Sequence, residues 1–371
     1  MKRRERAMKW SGWSLHLGRI AGIDLYMHAT FPLLFLWVGL LYWVQTGTLG
    51  GILFGLAFIA VLFFCVVLHE YGHALTARRF GIGTRYITLL PIGGLAALEK
   101  MPKDPKQEII VALMGPAVNV VIALGLFIIL SISGGWAPID PEAPLMMPAN
   151  FLQSVLFANL FLAVFNMIPA FPMDGGRVLR AALTFSMGRM KATALAARIG
   201  QTLALGFGIL GLFGNPFLIL IAVFIWIGAA SEAGATELET QLRHKPVSRA
   251  MITDFHTLAP YSSLSHAVGL TLAGKQKDFP VLDGSRVVGV AHQTAILRGL
   301  RDYGLEGRIA DVMSEPLTAD YRDDLASLLE ALQQEPEARL VCILDRGKLI
   351  GIVDMENISE FLRIQAALRA A

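Results

Sequence analysis

An apolar segment that ends in a histidine–glutamate–histidine pattern constrains this chain more than any other feature. Residues 51–68 carry no charged side chain and are long enough to span most of the hydrocarbon core of a bilayer. The segment continues directly into His69, Glu70 and His73, which form an HExxH motif. On a helix, side chains four residues apart leave the same face one turn apart. Two imidazoles placed in this way can hold one zinc ion, with Glu70 beside it as a general base.

A catalytic zinc ion needs a third protein ligand, and Asp174 is the best candidate for it. Catalytic sites use three protein ligands and leave one position open for water. Asp174 follows the fourth apolar segment, and Gly175 and Gly176 after it allow a close backbone approach. The same carboxylate could instead cap the following helix, and its two oxygens make both roles compatible. His28, at a predicted membrane boundary, is a further candidate ligand or an interfacial residue.

The apolar residues are clustered into runs, which is typical of a polytopic membrane protein. Hydrophobic residues make up 54% of the 371 residues and charged residues only 16%, against about 25% charged residues in soluble domains. Strand character at 15–25 and 84–90 predicts a small membrane-associated β element. The formal net charge of +3 is too small to indicate nucleic-acid binding. The runs predict six membrane-spanning helices, at about residues 29–45, 51–80, 107–132, 151–168, 194–213 and 216–230.

Lysine and arginine are confined to one side of this predicted arrangement. Basic residues precede the first span and lie between the second and third spans and between the fourth and fifth. The alternate segments, 46–51, 133–150 and 214–215, contain neither lysine nor arginine. By the positive-inside rule, both termini are then cytoplasmic in a cell membrane. The same assignment places the HExxH motif and Asp174 near the cytoplasmic ends of their helices.

After about residue 231 the composition changes to that of a soluble domain, and the sequence repeats. Residues 281–290, VLDGSRVVGV, align with residues 343–352, ILDRGKLIGI. Each copy predicts a helix, a β-hairpin with its turn at Gly284 or Gly347, and a closing helix. We therefore predict a membrane domain, a linker and a paired α/β domain at residues 1–231, 232–245 and 246–371, the last divided into 246–306 and 307–371.

Three motifs, in this order along the chain, resemble the site-2 protease family of intramembrane zinc metalloproteases. They are the HExxH motif, a Gly-Pro-x-x-Asn element at 115–119 and an Asn-x-x-Pro-x-x-x-x-Asp-Gly element at 166–175. The resemblance covers about residues 10–230. It implies one Zn²⁺ per chain and a catalytic glutamate, with ligands and glutamate at His69, His73, Asp174 and Glu70. It also implies that Asn119 and Asn166 line the site, although helix–helix hydrogen bonds are an alternative role for both.

The repeated tail is similar to a pair of cystathionine-β-synthase (CBS) domains, as in the sporulation factor-processing branch of the protease family. CBS pairs often bind adenine nucleotides through a Gly-h-x-[Ser/Thr]-x-x-[Asp/Asn] pattern. The first copy, starting at Gly289, lacks both polar positions. The second copy, starting at Gly351, has Asp354 and Asn357. Two interpretations of the pair are possible: it has one degenerate nucleotide site, or its role is purely structural. The CBS domains could also form a homo-oligomer.

The family resemblance implies a zinc-dependent endopeptidase in the lipid bilayer. It would cleave a membrane-tethered protein near the cytoplasmic side and release a cytoplasmic factor. A transporter with the His–Glu–His cluster as its ion site is one alternative, which inverted repeats would favour. An inactive protease-like regulator is another, which an altered HExxH motif or a missing aspartate would favour. The sequence shows neither of these signals.

Overall fold

The computed structural model describes residues 14–91, 93–98, 102, 104–136, 151–274, 276–334 and 338–370. Residues 1–13, at the basic amino terminus, and residues 137–150, in the loop predicted at 133–150, lie outside the described residues. The chain divides into two compact units, Met1–Thr236 and Glu237–Ala371. Residues 232–242, within the predicted linker, are helical. The domain boundaries themselves remain a prediction.

The first unit combines long helices with one small sheet. Its strands are β1 (Ser14–Ile20), β2 (Ile23–His28), β3 (Thr84–Leu90) and β4 (Gly93–Leu98). Its helices are α1 (Phe31–Thr46), α2 (Leu49–Arg79), α3 (Pro105–Ser133), α4 (Phe151–Asn166), α5 (Asp174–Met187), α6 (Arg189–Phe213) and α7 (Phe217–Leu242).

Four of these helices, α2, α3, α6 and α7, are long and apolar enough to cross a membrane. Helices α1 and α4 are also apolar but have only 16 residues each, about 24 Å at 1.5 Å per residue. A typical hydrocarbon core is about 30 Å thick. The prediction of a helical multi-pass membrane protein with a small β element is confirmed, and the count of six spans remains a prediction.

The sheet lies against the helix that carries the HExxH motif. Its strand order is β1-β2-β3-β4, with β2 and β3 parallel and the other two pairs antiparallel. Ile23 and Leu25 of β2 and Ile87 and Leu89 of β3 alternate along their strands, point to one face and are buried. They pack against Val67, Tyr71 and Ala74 of α2. Because this packing fixes the register of the sheet, β4 is held beside the motif.

The second unit contains the two predicted copies of a helix–hairpin–helix fold. The first copy has α8 (Leu264–Ala273), β5 (Phe279–Asp283), β6 (Arg286–Ala291) and α9 (Gln293–Tyr303). The second has β7 (Leu317–Asp320), α10 (Leu325–Gln334), β8 (Leu340–Asp345), β9 (Lys348–Asp354) and α11 (Met355–Ala370). The hairpin glycines, Gly284 and Gly347, have φ of +61° and +82°, a region that glycine adopts without steric cost. The repeat read from the sequence is therefore a repeat of structure.

Candidate metal centre

Helices α2 and α5 bring His69, His73 and Asp174 together. The two Nε2 atoms are 3.0 Å apart, and Asp174 Oδ2 lies 3.2 Å from that of His69 and 3.1 Å from that of His73. All three residues are buried. Ligand bonds of about 2.0–2.1 Å in a tetrahedral site separate neighbouring ligand atoms by about 3.3 Å. The spacing of these three atoms therefore fits ligands that share one zinc ion.

The far nitrogens of both imidazole rings have hydrogen-bond acceptors. His69 Nδ1 lies 2.6 Å from Asn119 Oδ1, and His73 Nδ1 lies 2.7 Å from the backbone oxygen of Val111. A carbonyl oxygen can only accept, so each ring donates its Nδ1 proton there. Each Nε2 is then left with a lone pair directed at the cluster. Metal-binding histidines are oriented in this way by their outer partners.

A second asparagine fixes the orientation of the first. Asn119 Nδ2 donates to Asn159 Oδ1 at 2.8 Å, and Asn159 Nδ2 donates to the oxygen of Val155 at 2.9 Å. Both asparagines are fully buried. This chain of donors leaves Asn119 Oδ1 free to accept from His69. Asn159 was not predicted from the sequence, although a polar residue in an apolar helix needs a partner and could have indicated it.

Asn166 and His28, two other candidates from the sequence, are not part of the cluster. Asn166 Nδ2 donates to the oxygen of Leu162 in its own helix, at 3.0 Å. The His28 ring lies 2.7 Å from the hydroxyl of Thr30, at the end of β2. Of the two asparagines implied by the family resemblance, only Asn119 contacts a candidate ligand among the described residues. The roles of both remain predictions.

Glycines allow helix α3 to pass directly against the imidazole rings. A Cβ atom on Gly115 would lie 2.1 Å from His73 Nε2 and 2.6 Å from His69 Nε2. On the facing helix, a Cβ atom on Gly72 would lie 2.6 Å from the backbone oxygen of Met114. Real Cβ atoms do not approach other atoms this closely. The Gly-Pro-x-x-Asn element thus supplies both the space for the cluster and an acceptor for His69.

Asp174 is the first residue of α5, and its carboxylate does not cap the helix. The N-cap position belongs to Met173, which has no side-chain capping bond. Asp174 Oδ2 faces the histidines, while Oδ1 lies 3.7 Å from Arg177 Nη1. Behind it, a Cβ atom on Gly175 would lie 2.4 Å from the oxygens of the preceding loop. The close backbone approach expected at this glycine is present.

Glu70 lies between the cluster and strand β4. It is half-buried, and its Oε2 accepts the backbone N–H of Ala96 at 3.2 Å. A Cβ atom on Gly94 would lie 2.6 Å from Glu70 Cγ. The sheet therefore provides both a donor for the carboxylate and room for its side chain.

In the second unit, Asp354 and Asn357 are partners of each other. The Asp354 amide donates to Asn357 Oδ1 at 3.0 Å, and the Asn357 amide donates to Asp354 Oδ1 at 2.8 Å. This reciprocal pattern is that of a capping box at the start of α11. Both side chains are only half-buried, so they keep a surface that a ligand could reach.

The first copy caps its helix differently. Asp278 Oδ1 accepts the amide of Gln293 at 2.9 Å at the start of α9, and His292 Nδ1 lies 3.3 Å from the same oxygen, outside hydrogen-bonding geometry. Burial opposes ionisation of Asp278, but the adjacent His292 ring, the Gln293 amide and Arg339 outweigh it and lower the pKa of this carboxyl. His292 occupies the position in the first copy that Asp354 occupies in the second, and its imidazole is buried.

A buried His–His–Asp donor set with a glutamate beside it, in a multi-pass membrane unit, defines a membrane metalloprotease. Residues 57–140 and 137–207 match the profile of Peptidase family M50, and residues 247–302 and 309–364 match that of the CBS domain. A zinc metalloprotease of Methanocaldococcus jannaschii is 32% identical over 358 residues, which cover 95% of this chain and 97% of that protein. This chain belongs to Peptidase family M50, the site-2 protease family.

Two further proteins are similar to this chain. Stage IV sporulation protein FB of Bacillus subtilis is 25% identical over 202 residues, which cover 53% of this chain and 64% of that protein. The solved structure of a site-2 protease from Methanocaldococcus jannaschii shares 38% identity and covers 60% of this chain and 95% of its own, with a TM-score of 0.45. The resemblances to the protease family and to a CBS pair are both confirmed.

Proposed function

We propose that this protein cleaves membrane-tethered proteins at one zinc ion held by His69, His73 and Asp174. The observation that supports this most directly is the set of three donor atoms 3.0–3.2 Å apart, with the outer nitrogen of each ring bound to an acceptor. Such an arrangement prepares both rings for a metal before one binds.

In this mechanism Glu70 moves the protons. Zinc, when bound, supplies a Lewis acid that polarises the scissile carbonyl and acidifies water. Glu70 accepts a proton from the attacking water and returns it to the leaving amine nitrogen. The Ala96 amide holds one oxygen of Glu70, which leaves the other for the proton. Asn119 keeps the His69 ring in one tautomer and one orientation throughout.

The substrate must present an extended segment to this site. In a helix each carbonyl already accepts a hydrogen bond from an amide four residues later, so a helical segment shields the bond to be cleaved. A substrate helix therefore has to unwind next to the HExxH motif. With this motif near the cytoplasmic ends of the helices, cleavage would release a cytoplasmic factor.

Metal content tests the proposed zinc site. We expect about one zinc per chain in purified wild-type protein, and much less after Asp174→Ala, because three ligands are needed for a stable catalytic site. Asp254→Ala, which removes an exposed aspartate of the second unit, is the control and should keep the metal. Elemental analysis gives the answer. Wild-type protein free of metal, or an Asp174→Ala variant that keeps it, would contradict the proposal.

The proposed orientation, with both termini cytoplasmic, depends on the one-sided distribution of lysine and arginine. A topology reporter fused after Thr236 should therefore be active in the cytoplasm. A reporter inserted between residues 138 and 149 should be active outside, since that segment contains no basic residue. The reverse result at either position would refute the orientation and, with it, cleavage near the cytoplasmic side.

We infer at most one adenine nucleotide per chain, at Asp354 and Asn357 in the second CBS copy. The first copy has a buried His292 and Ala295 at the equivalent positions. Asp354 repels phosphates placed close to it, so AMP should bind more tightly than ATP. Calorimetry on the full-length protein in detergent measures both, and Asn357→Ala should remove the binding. Two equivalent ATP sites per chain would show the inference to be wrong. Homo-oligomerisation through this pair remains a prediction.

A further inference from the structure

Arg180 is a charged side chain with 0% exposure, the largest of the fully buried side chains among the described residues. Its sequence context places it among the basic residues that flank the membrane, but the structure buries it within the first unit. It lies on α5, six residues after Asp174. A buried charge is costly unless opposite charges and hydrogen bonds compensate it. The partners of Arg180 therefore indicate what its burial achieves.

Two carboxylates from two other helices compensate this charge. Arg180 Nε donates to Glu108 Oε1 of α3 at 2.8 Å, and Nη2 contacts the same oxygen. Nη1 contacts Glu232 Oε1 of α7. Glu108 is itself 3% exposed, and its second oxygen lies 3.8 Å from Arg189 Nη1. The two carboxylates and two arginines balance in charge, and the planar guanidinium holds α3, α5 and α7 at one point.

Arg180 and Glu108 join α5, which carries the candidate ligand Asp174, to α3, which carries the acceptors of both histidine rings. Glu108 lies one turn before Val111, whose backbone oxygen accepts from His73, and the same helix carries Asn119, which accepts from His69. Helix α5 begins with Asp174. The guanidinium also lies 5.1 Å from the ring centroid of Phe171, in the loop just before Asp174. The ion pair therefore connects α5, which begins with Asp174, to α3, whose oxygen atoms accept hydrogen bonds from His69 and His73.

We propose that Arg180 and Glu108 are positioning residues for the metal centre. They hold α5 against α3 so that the Asp174 carboxylate meets both imidazoles, and they touch neither metal nor substrate. The proposal rests on the zinc site proposed above. A role in stability alone would leave the affinity and coordination of the metal unchanged in any variant that still folds.

Metal affinity and coordination separate these two roles. Zinc-free full-length protein in detergent is titrated with Zn²⁺ against a chelating indicator, and with Co²⁺ to record its d–d absorption. We expect Arg180→Gln to bind zinc about 10–100-fold more weakly, the usual loss when a residue that orients ligands is removed, and to alter the cobalt spectrum. Arg180→Lys, which keeps the charge without the planar guanidinium, should have a zinc affinity between those of Arg180→Gln and wild type. Arg198→Gln, at an exposed arginine of α6, should match wild type.

Wild-type zinc affinity and cobalt spectrum in a folded Arg180→Gln variant would overturn the proposal. If that variant does not fold, Arg180→Lys and Glu108→Gln give the same test, and wild-type values in both would overturn it as well. Failure of the zinc site itself has a different signature. In that case wild type and Asp174→Ala would bind Zn²⁺ equally, whatever residue 180 is.

Discussion

Replacing Glu70 with glutamine should abolish cleavage while leaving zinc bound. The substitution keeps the size of the side chain and the contact with the Ala96 amide, and it leaves all three candidate ligands in place. It removes only the group that can accept a proton from water, and general-base catalysis of this kind contributes about 10²–10⁴-fold. Cleavage of a membrane-tethered reporter by the reconstituted protein, together with elemental analysis of the same sample, measures both effects.

The matched control for this variant is Glu237→Gln, at an exposed glutamate outside the metal centre. It should retain both zinc and activity. Unchanged proteolysis in Glu70→Gln would contradict the assignment of Glu70 as the general base. Loss of zinc together with activity would instead assign Glu70 to holding the metal.

A single methyl group added at Gly115 should destroy the metal centre. In Gly115→Ala the new Cβ atom would occupy a position 2.1 Å from His73 Nε2 and 2.6 Å from His69 Nε2, so both ligand atoms must move. Metal–ligand distances in well-formed sites lie within about 0.2 Å of their usual values, and a misplacement of about 1 Å can cost about 100-fold in rate. We therefore expect weak zinc binding and at least about a 100-fold loss of cleavage, measured by chelator competition and the reporter assay.

Helix α3 offers its own control for this substitution. A Cβ atom on Gly125 has nothing within 4 Å, so Gly125→Ala changes the same residue type on the same helix without contacting the cluster. It should keep metal and activity, and alanine should even favour the helix by about 1 kcal/mol. Equal behaviour of the two variants would mean that Gly115 does not make room for the ligands.

Local spacing was sufficient to place two of the three candidate ligands beside each other. The i, i+4 separation of His69 and His73 places both rings on one helix face whatever the rest of the chain does. The apolar runs, the strand character near 84–90 and the repeat in the tail likewise depend on periods and turn residues that are read over a few positions. For this reason the helical membrane unit, the β element and the CBS pair could be predicted from the sequence.

The outer partners of the histidines were decided by tertiary structure. The acceptor of His73 is the backbone oxygen of Val111, and a backbone group carries no residue signal. Asn119 and Asn166 are equally polar in the sequence, but only Asn119 faces a ligand, because the packing of α3 against α2 turns it there. Asn159 then completes the chain from a third helix.

Arg180 shows most clearly the difference between what the sequence predicts and what the tertiary structure decides. By sequence it is one of several basic residues predicted to flank the membrane, a pattern that predicts orientation and nothing more. Its burial and its pairing with Glu108 and Glu232 depend on three helices meeting at one point. The sequence determined which elements form and placed His69 and His73 on one helix face, because both follow from local periodicity. Only the tertiary structure decided which polar groups meet, because those contacts join residues 38 to 101 positions apart.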